Sequence, residues 1–154
     1  MSKATYIQNW EEWQKDFNFY VPIRVKFSDL DAFGHLNNVE VFRYLEHARI
    51  EYLKRVQILN FKHVEEIDKF SVVADMQCDF LHQIFYEEEI RVYVKVHYLG
   101  NTSLDIHYMG KNEKEQVVFT GRGVIVQIDK HTGKPYPWND TQKTLIEELN
   151  RVNV

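Results

Sequence analysis

The sequence predicts an α+β domain in which one curved antiparallel sheet of about five strands wraps around a single long helix. Three observations predict this fold: an alternating strand pattern at residues 19–27, a strongly apolar helix pattern at 39–56, and a second half dominated by alternating strands. The order of one strand, one apolar helix and then several antiparallel strands is most simply explained by a sheet that packs around the helix. Short helices at both ends extend this core.

The N-terminal segment begins with a helix and a strand. Between Ile7 and Phe17, aromatic residues recur at spacings of three and four, which predicts a short amphipathic helix that packs on the domain as an extension. Residues from Phe19 to Phe27 alternate between apolar and polar side chains, as expected of a half-buried strand. Pro22 favours an edge or a strand-initial position, because proline cannot donate to a central ladder.

The long helix is predicted from Val39 to Val56. Asn37 is a good N-cap, and Glu40 lies three residues later, where it would complete a capping box. Apolar residues step by three or four and also spread round the circumference, so we expect other structure to wrap most of this helix.

The second half predicts strands joined by polar turns, followed by a terminal helix. Gly100-Asn101 is a two-residue turn signal between two alternating runs, which predicts a hairpin. The even-numbered residues from Val72 to Phe80 and from Ile90 to Tyr98 form the apolar register of their strands. We find no repeat or linker and expect a single domain over residues 1–154, with its core at about 19–137. The predicted segments are strands at 72–81, 90–98, 104–108 and 118–128, a loop at 129–138 and a helix at 141–152.

Composition narrows the possible functions. The 154 residues are 44% hydrophobic and 14% aromatic, which argues against a disordered chain. With 19 basic and 23 acidic residues the net charge is −4, which disfavours nucleic acid as a partner. Cys78 is the single cysteine, so no internal disulfide forms, as expected in a reducing compartment. No apolar run reaches the roughly 20 residues that span a bilayer, and residues 1–14 lack a secretory signal, so we expect a cytoplasmic protein without membrane insertion.

Acyl-transfer chemistry is indicated where the first strand ends and the long helix begins. Asp29 and Asp31 precede the helix start, where backbone N–H groups lack internal partners and carry partial positive charge. Such groups polarise a carbonyl and stabilise an oxyanion, while a facing carboxylate attacks the carbonyl or deprotonates water. Gly34 in the intervening loop allows a close backbone approach or a positive φ.

Other catalytic classes find little support. The seven histidines and Cys78 lack the His-x-x-x-His or Cys-x-x-Cys spacing of metal sites, so no metal is expected. There is no Gly-x-Ser-x-Gly elbow and no glycine-rich phosphate loop.

The segments Phe27–Asn38 and Tyr44–Leu53 closely resemble the 4-hydroxybenzoyl-CoA thioesterase-like group of the hotdog superfamily, and the resemblance extends over roughly residues 19–137. It implies a hotdog fold and hydrolysis of an acyl-CoA or acyl-carrier-protein thioester, with no cofactor beyond the CoA of the substrate. In that family the second Asp of the D-x-D-x-x-G pattern is the catalytic carboxylate, here Asp31. The polarising N–H lies at the helix start, which falls on Asn38 or its neighbour Val39. Members usually form dimers or tetramers with the site between two subunits, so a homodimer or homotetramer is implied.

Several further residues are candidates for supporting roles. His35 either orients Asp31, contacts substrate or holds the loop, while Asn37 and Asn38 are caps that also line the site in this interpretation. Asp29 is expected mainly to form hydrogen bonds within the loop, and a direct catalytic role for it is the less favoured alternative. The Gly34-to-Asn38 segment is more similar to members that act on fatty acyl thioesters, which implies an aliphatic acyl chain.

Two charged residues outside the loop complete the candidates. Glu46 either pairs with Arg49 on the same helix or serves as a reserve carboxylate, because some hotdog enzymes take theirs from this helix. Arg122 either contacts the phosphates of CoA or is simply solvated. Two alternatives to the thioesterase stay open: a hotdog hydratase or dehydratase acting on enoyl or hydroxyacyl thioesters, and a non-enzymatic acyl-CoA-binding protein.

Overall fold

The computed structural model describes residues 4–151, in which five strands and three α-helices form the regular structure. Two short 3₁₀ turns lie at Phe27–Asp29 and Phe61–Glu66. The terminal helix was predicted to reach Val152, which lies outside the described residues. The elements in chain order are α1 (Trp10–Lys15), β1 (Phe19–Arg24), α2 (Asn38–Arg55), β2 (Lys69–Phe80), β3 (Glu89–Leu99), β4 (Ser103–Lys111), β5 (Val117–Asp129) and α3 (Asp140–Asn150).

The five strands form one antiparallel sheet in the order β1-β3-β4-β5-β2. β1 and β2, which flank α2 in the sequence, lie at opposite edges of the sheet, so the chain carries α2 across one sheet face to connect them. The predicted hotdog fold is confirmed. Pro22 lies in an edge strand, as its missing N–H predicts.

The core lies between α2 and the sheet face that the helix crosses. Leu45, Ala48 and Tyr52 of α2 are fully buried together with Ile90, Ile106 and other side chains of that inner face. The expectation that other structure wraps most of α2 is wrong, because Phe42 is 38% exposed and Val39 is 57% exposed. One flank of the helix is therefore open to solvent along the edge strand β2.

Two β-bulges change which side chains face the core. The register between β2 and β5 shifts between Val73 and Asp75, so Val73 shares the inner face with Met76, and Val72 turns to the outer face. A second shift between Val96 and Tyr98 places Tyr98 on the outer face, where it is exposed. The uninterrupted even-numbered registers predicted for these strands are wrong, since each bulge inserts one extra residue.

The N-terminal segment packs on the outer face of the sheet. Trp13 and Phe17 bury their rings against Met109, and the Trp13 indole N–H donates to Nδ1 of His107 at 2.9 Å. The buried Lys95 ammonium donates to the Trp13 carbonyl at 2.7 Å. Burial lowers the pKa of Lys95 to about 8 and that of His107 to about 3. The predicted extension is thus confirmed and covers a patch of buried polar groups.

The strand β1 is shorter than predicted. It ends at Arg24, and Phe27 begins a 3₁₀ turn with its ring largely exposed. Val25 is buried beyond the strand end, and its N–H donates to the Glu88 carbonyl at 2.9 Å. The early end of β1 leaves residues 26–37 to form the loop that leads to α2.

Candidate active site

The Asp31 carboxylate is held by its own loop. Oδ1 accepts hydrogen bonds from the backbone N–H groups of Phe33, at 2.9 Å, and His35, at 3.2 Å. The Asp31 N–H donates to the His35 carbonyl at 2.8 Å, and the loop turns through Gly34 with a φ of +82°. Oδ2 has no hydrogen-bond partner within residues 4–151, so one oxygen is anchored and the other is open.

The start of α2 supplies an uncommitted backbone donor. The Asn37 side chain accepts from the Val39 N–H at 3.1 Å, and the Asn37 carbonyl accepts from the Glu40 N–H at 2.9 Å. Of these first three helical amides, only the N–H of Asn38 lacks an acceptor in the described part of the chain. The predicted capping box is wrong, because the Glu40 side chain pairs instead with Arg43, at 3.6 Å.

Asp29 connects the loop to the body of α2. Its buried carboxylate accepts from the Tyr44 hydroxyl at 2.7 Å and from the Lys26 N–H at 3.1 Å through the same oxygen. Its carbonyl accepts from the Asn37 N–H at 2.9 Å. Burial and the neighbouring Asp29 carboxylate raise the pKa of Tyr44, so this hydroxyl stays protonated and donates.

A cavity of about 350 Å³ brings Asp31, His35 and Asn38 together. Apolar side chains form much of its lining and include the fully buried ring of Phe119. His82 and Gln83, on the connection from β2 to β3, add polar groups to the lining. Gly34, Asn37 and Val39 adjoin the site but do not line this cavity. The remaining lining residues are Leu36, Val41, Phe80, Leu81, Ile84 and Val118.

Sequence reasoning missed His82 and Gln83. They reach the site because the Leu36 N–H donates to the Ile84 carbonyl at 2.7 Å and an antiparallel backbone β-bridge joins His35 to Phe85. Neither contact leaves a local sequence pattern, since the paired segments are almost fifty residues apart.

Glu46 and Arg122 lie away from the cavity. Glu46 is exposed on α2, and its predicted pairing with Arg49 is wrong, because Arg49 turns inward and its Nη1 donates to the Tyr108 hydroxyl at 3.4 Å. Arg122 lies on the outer sheet face, between Asp105 at 2.9 Å and Asp75 at 3.3 Å. Two carboxylates already neutralise the Arg122 charge, which makes a contact between Arg122 and a phosphate of CoA less favourable.

The remaining chemical groups of the described chain add no rival site. Burial raises the pKa of the Cys78 thiol to about 12, so this residue is not a thiolate nucleophile. Residues 4–151 contain no cluster of three His, Cys, Asp or Glu side chains that is arranged to hold a metal ion. Within the same residues, no helix is long and apolar enough to cross a membrane.

Comparisons with known proteins agree on one family. Residues 25–145 match the family model of the thioesterase-like superfamily. The chain is 41% identical to the uncharacterized protein YsmA of Bacillus subtilis (strain 168) over 133 residues. The aligned residues cover 86% of this chain and 88% of YsmA. A thioesterase from Thermus thermophilus, solved with coenzyme A and zinc, shares 32% identity at a TM-score of 0.74, over 88% of this chain and 96% of that one. A predicted thioesterase from Bacillus stearothermophilus shares 30% identity at a TM-score of 0.74, over 84% and 94% of the two chains.

Proposed function

The chain belongs to the thioesterase-like superfamily and is a thioester hydrolase, and from this premise we propose that it cleaves acyl-CoA thioesters with Asp31 as the catalytic carboxylate. One observation carries the assignment: Asp31, with an open Oδ2, and Asn38, with an unpartnered N–H among the described residues, line the same cavity. A carboxylate and an oxyanion donor facing one space are the parts that acyl transfer requires.

The proposed reaction begins with the thioester carbonyl in that space. The Asn38 N–H, at the positive end of α2, stabilises the negative charge that develops on the carbonyl oxygen. Oδ2 of Asp31 either attacks the carbonyl carbon, giving an acyl-aspartyl anhydride that water then hydrolyses, or removes a proton from the attacking water. On both routes the C–S bond breaks, the CoA sulfur leaves as a thiol and the acyl group leaves as a carboxylic acid. The reaction as proposed needs no metal or prosthetic group.

Oxygen-18 labelling detects a nucleophilic Asp31 when water opens the anhydride at the aspartyl carbonyl. After many turnovers in H₂¹⁸O, an anhydride that water opens at the aspartyl carbonyl leaves label in the Asp31 carboxylate. Mass spectrometry of the peptide that contains Asp31 detects this label. General-base catalysis, like opening of the anhydride at the acyl carbonyl, puts ¹⁸O only into the released acid, so label in Asp31 identifies the nucleophilic route.

The lining of the cavity supports an apolar acyl group as the substrate. Beyond Asp31 and Asn38 the wall is formed largely by aliphatic and aromatic side chains, with Val41 from α2 and Phe119 from β5. An acyl chain placed there removes apolar surface from water, which favours binding by roughly 25 cal/mol per Å². A thiol-release assay over acyl-CoA esters of increasing chain length, with acyl-carrier-protein thioesters in parallel, tests the proposal. Absence of thiol release from every one of these substrates would refute it.

We further propose that two copies of the chain associate along β2 and the open flank of α2. β2 is an edge strand with unpaired backbone groups on its free side. Beside it lie exposed apolar side chains from both elements: Phe42, Val73 and Phe80. An exposed apolar face along a free strand edge is the kind of surface that a second copy covers.

Charge complementarity supports a second copy as the occupant. Arg49 is only 8% exposed, yet it has no carboxylate partner within residues 4–151. Glu46, three residues earlier on the same flank, also has no ion-pair partner there. In a two-fold interface a contact from one residue to a second is matched by the reverse contact, so we expect Glu46 of each protomer to pair with Arg49 of the partner subunit.

A charge swap tests this interface. We expect the native chain to be a dimer by light scattering and Glu46→Lys to shift it toward the monomer, because lysine then faces arginine across the interface. Adding Arg49→Glu to Glu46→Lys should restore the dimer. Glu147→Lys makes the same charge change on α3 and should leave association unchanged. A monomeric native chain, or a Glu46→Lys variant that dimerises normally, contradicts the proposal.

A further inference from the structure

Asp29 is the point at which three segments around the cavity are tied together. Its Oδ2 accepts from the Lys26 N–H, at the start of the loop that follows β1, and from the Tyr44 hydroxyl, in the second turn of α2. Its carbonyl accepts from the N–H of Asn37, the residue that caps α2. Asp29 thus touches the loop on the Asp31 side and the helix start on the Asn38 side.

We propose that Tyr44 and Asp29 form a positioning pair that fixes the Asp31 carboxylate relative to the Asn38 N–H. The inference rests on the proposed function, because positioning has meaning only if these two groups act on one substrate. Neither Tyr44 nor Asp29 lines the cavity formed by the described residues, so the pair acts through its neighbours and does not touch the substrate.

The energetics of the contact suit a positioning role. Both side chains are buried, and a 2.7 Å hydrogen bond from a hydroxyl to a carboxylate is short and charge-assisted. A buried carboxylate that lost this donor would keep only the Lys26 N–H, at 3.1 Å. The loop would then relax to recover hydrogen bonds for Asp29, because leaving a buried charge underpaired is costly.

Small displacements matter at this site. Asp31 follows Asp29 by two residues, and Asn38 follows Asn37 directly, so movement of Asp29 reaches both halves of the site through short backbone links. Misplacement of reacting groups by about 1 Å can cost roughly 10²-fold in rate. The Tyr44 hydroxyl therefore contributes to the rate without contacting the reacting atoms.

The first test compares two hydroxyl deletions on the same helix. Tyr44→Phe keeps the buried ring and removes the donor, and we expect kcat to fall about 10- to 100-fold with KM unchanged. Tyr52→Phe is the matched control, because Tyr52 is also buried on α2 but its hydroxyl lies toward Val96 of β3, away from the loop. Equal kcat values for the two variants would overturn the proposal.

The second test asks whether Asp29 acts by geometry or by chemistry. Asp29→Asn keeps an acceptor oxygen for Tyr44 and Lys26, so it should retain most of the activity and the native pH profile. Asp29→Ala should lose at least as much kcat as Tyr44→Phe, and adding Tyr44→Phe to Asp29→Ala should cost nothing further, because Asp29→Ala already removes the contact with Tyr44. If Asp29→Asn is as inactive as Asp31→Asn, Asp29 is itself part of the chemistry and the positioning assignment is wrong.

A third readout does not depend on turnover. The Asn37 N–H reports the contact directly, since it donates to the Asp29 carbonyl, and its hydrogen exchange should accelerate in Tyr44→Phe and stay native in Tyr52→Phe. If the native chain releases no thiol but hydrogen exchange at Asn37 responds as expected, the proposed function is wrong, while the effect of the Tyr44–Asp29 contact on the loop is confirmed. Unchanged exchange at Asn37 in Tyr44→Phe refutes the pair whatever the activity.

Discussion

At the scale of single residues, the site depends on how Asp31 divides its two carboxylate oxygens. Oδ1 is fixed by two backbone amides of the same loop, which leaves Oδ2 free to face the cavity. The arrangement requires a turn through Gly34 at a φ of +82°, in the left-handed region that residues with a Cβ avoid. The orientation of the carboxylate is therefore encoded within a five-residue turn.

Gly34→Ala tests that dependence. A Cβ at this position meets no atom within 4 Å, so the cost comes from the backbone conformation alone, about 1 kcal/mol of unfolding free energy. We expect kcat/KM to fall about tenfold, because the turn shifts the carboxylate. Gly133→Ala is the control: its φ is +70° with equally open space, in a loop away from the cavity. It should lose similar stability, measured by urea unfolding, and keep full activity; equal activity of the two variants would contradict the account.

At the scale of elements, α2 serves three purposes along its length. Its first turn presents the Asn38 N–H, its second holds the preceding loop through Tyr44, and its buried face, with Leu45 and Tyr52, forms the centre of the core. Its open flank, with Phe42, faces the space beside β2. The rigidity that packing gives to α2 is thus passed to the loop that carries Asp31.

Local sequence predicts the elements of the site well because the relevant physics is local. Asn37 caps the helix that follows it, and Gly34 allows the turn, and both effects act within a few residues. The capping box does not form because the Asn37 side chain accepts from the Val39 N–H, two residues on, and the Asn37 N–H, which Glu40 would have to bind, donates to the Asp29 carbonyl.

Contacts between distant segments could not be predicted from pattern alone. His82 enters the cavity lining because the β2–β3 connection pairs with Leu36, and nothing near His82 in the sequence marks that pairing. The bulges beside Val73 and His97 also depend on partner strands. A single inserted residue moves the side chains that follow it in the strand to the opposite face of the sheet. Arg49 was misjudged for a similar reason, since burial against Tyr108 outweighed a local helix pair with Glu46.

At the scale of the whole molecule, the sheet is covered on both faces by the chain's own segments. α2 crosses the inner face, and α1 covers part of the outer face, where His107 and Lys95 are buried beneath Trp13. His107 accepts the Trp13 indole N–H, so Nδ1 must be unprotonated in the folded protein. Burial holds the pKa of His107 at about 3, with a further lowering from His97, which is stacked on it at 4.1 Å.

That depressed pKa predicts a stability loss in acid. Between about pH 6.5 and pH 3 the unfolded chain binds a proton at position 107 and the folded chain does not, so the unfolding free energy falls as the pH falls through this window. His107→Gln keeps an acceptor for Trp13 and removes the titration, so its unfolding free energy should fall less steeply, by up to about 1.4 kcal/mol per pH unit. Urea unfolding from pH 6.5 to 4 measures the slopes. A native slope in His107→Gln would show that the buried histidine does not titrate as described.

The most direct test of the account is thiol release from acyl-CoA by the Asp31→Asn variant. Asparagine preserves the acceptor that Phe33 and His35 bind and removes the nucleophilic or basic oxygen, so the fold should persist while kcat falls about 10²- to 10⁴-fold. Asp140→Asn, an equal loss of charge at an exposed position on α3, is the control and should be fully active. Full activity in a folded Asp31→Asn variant would contradict the assignment of Asp31 as the catalytic carboxylate.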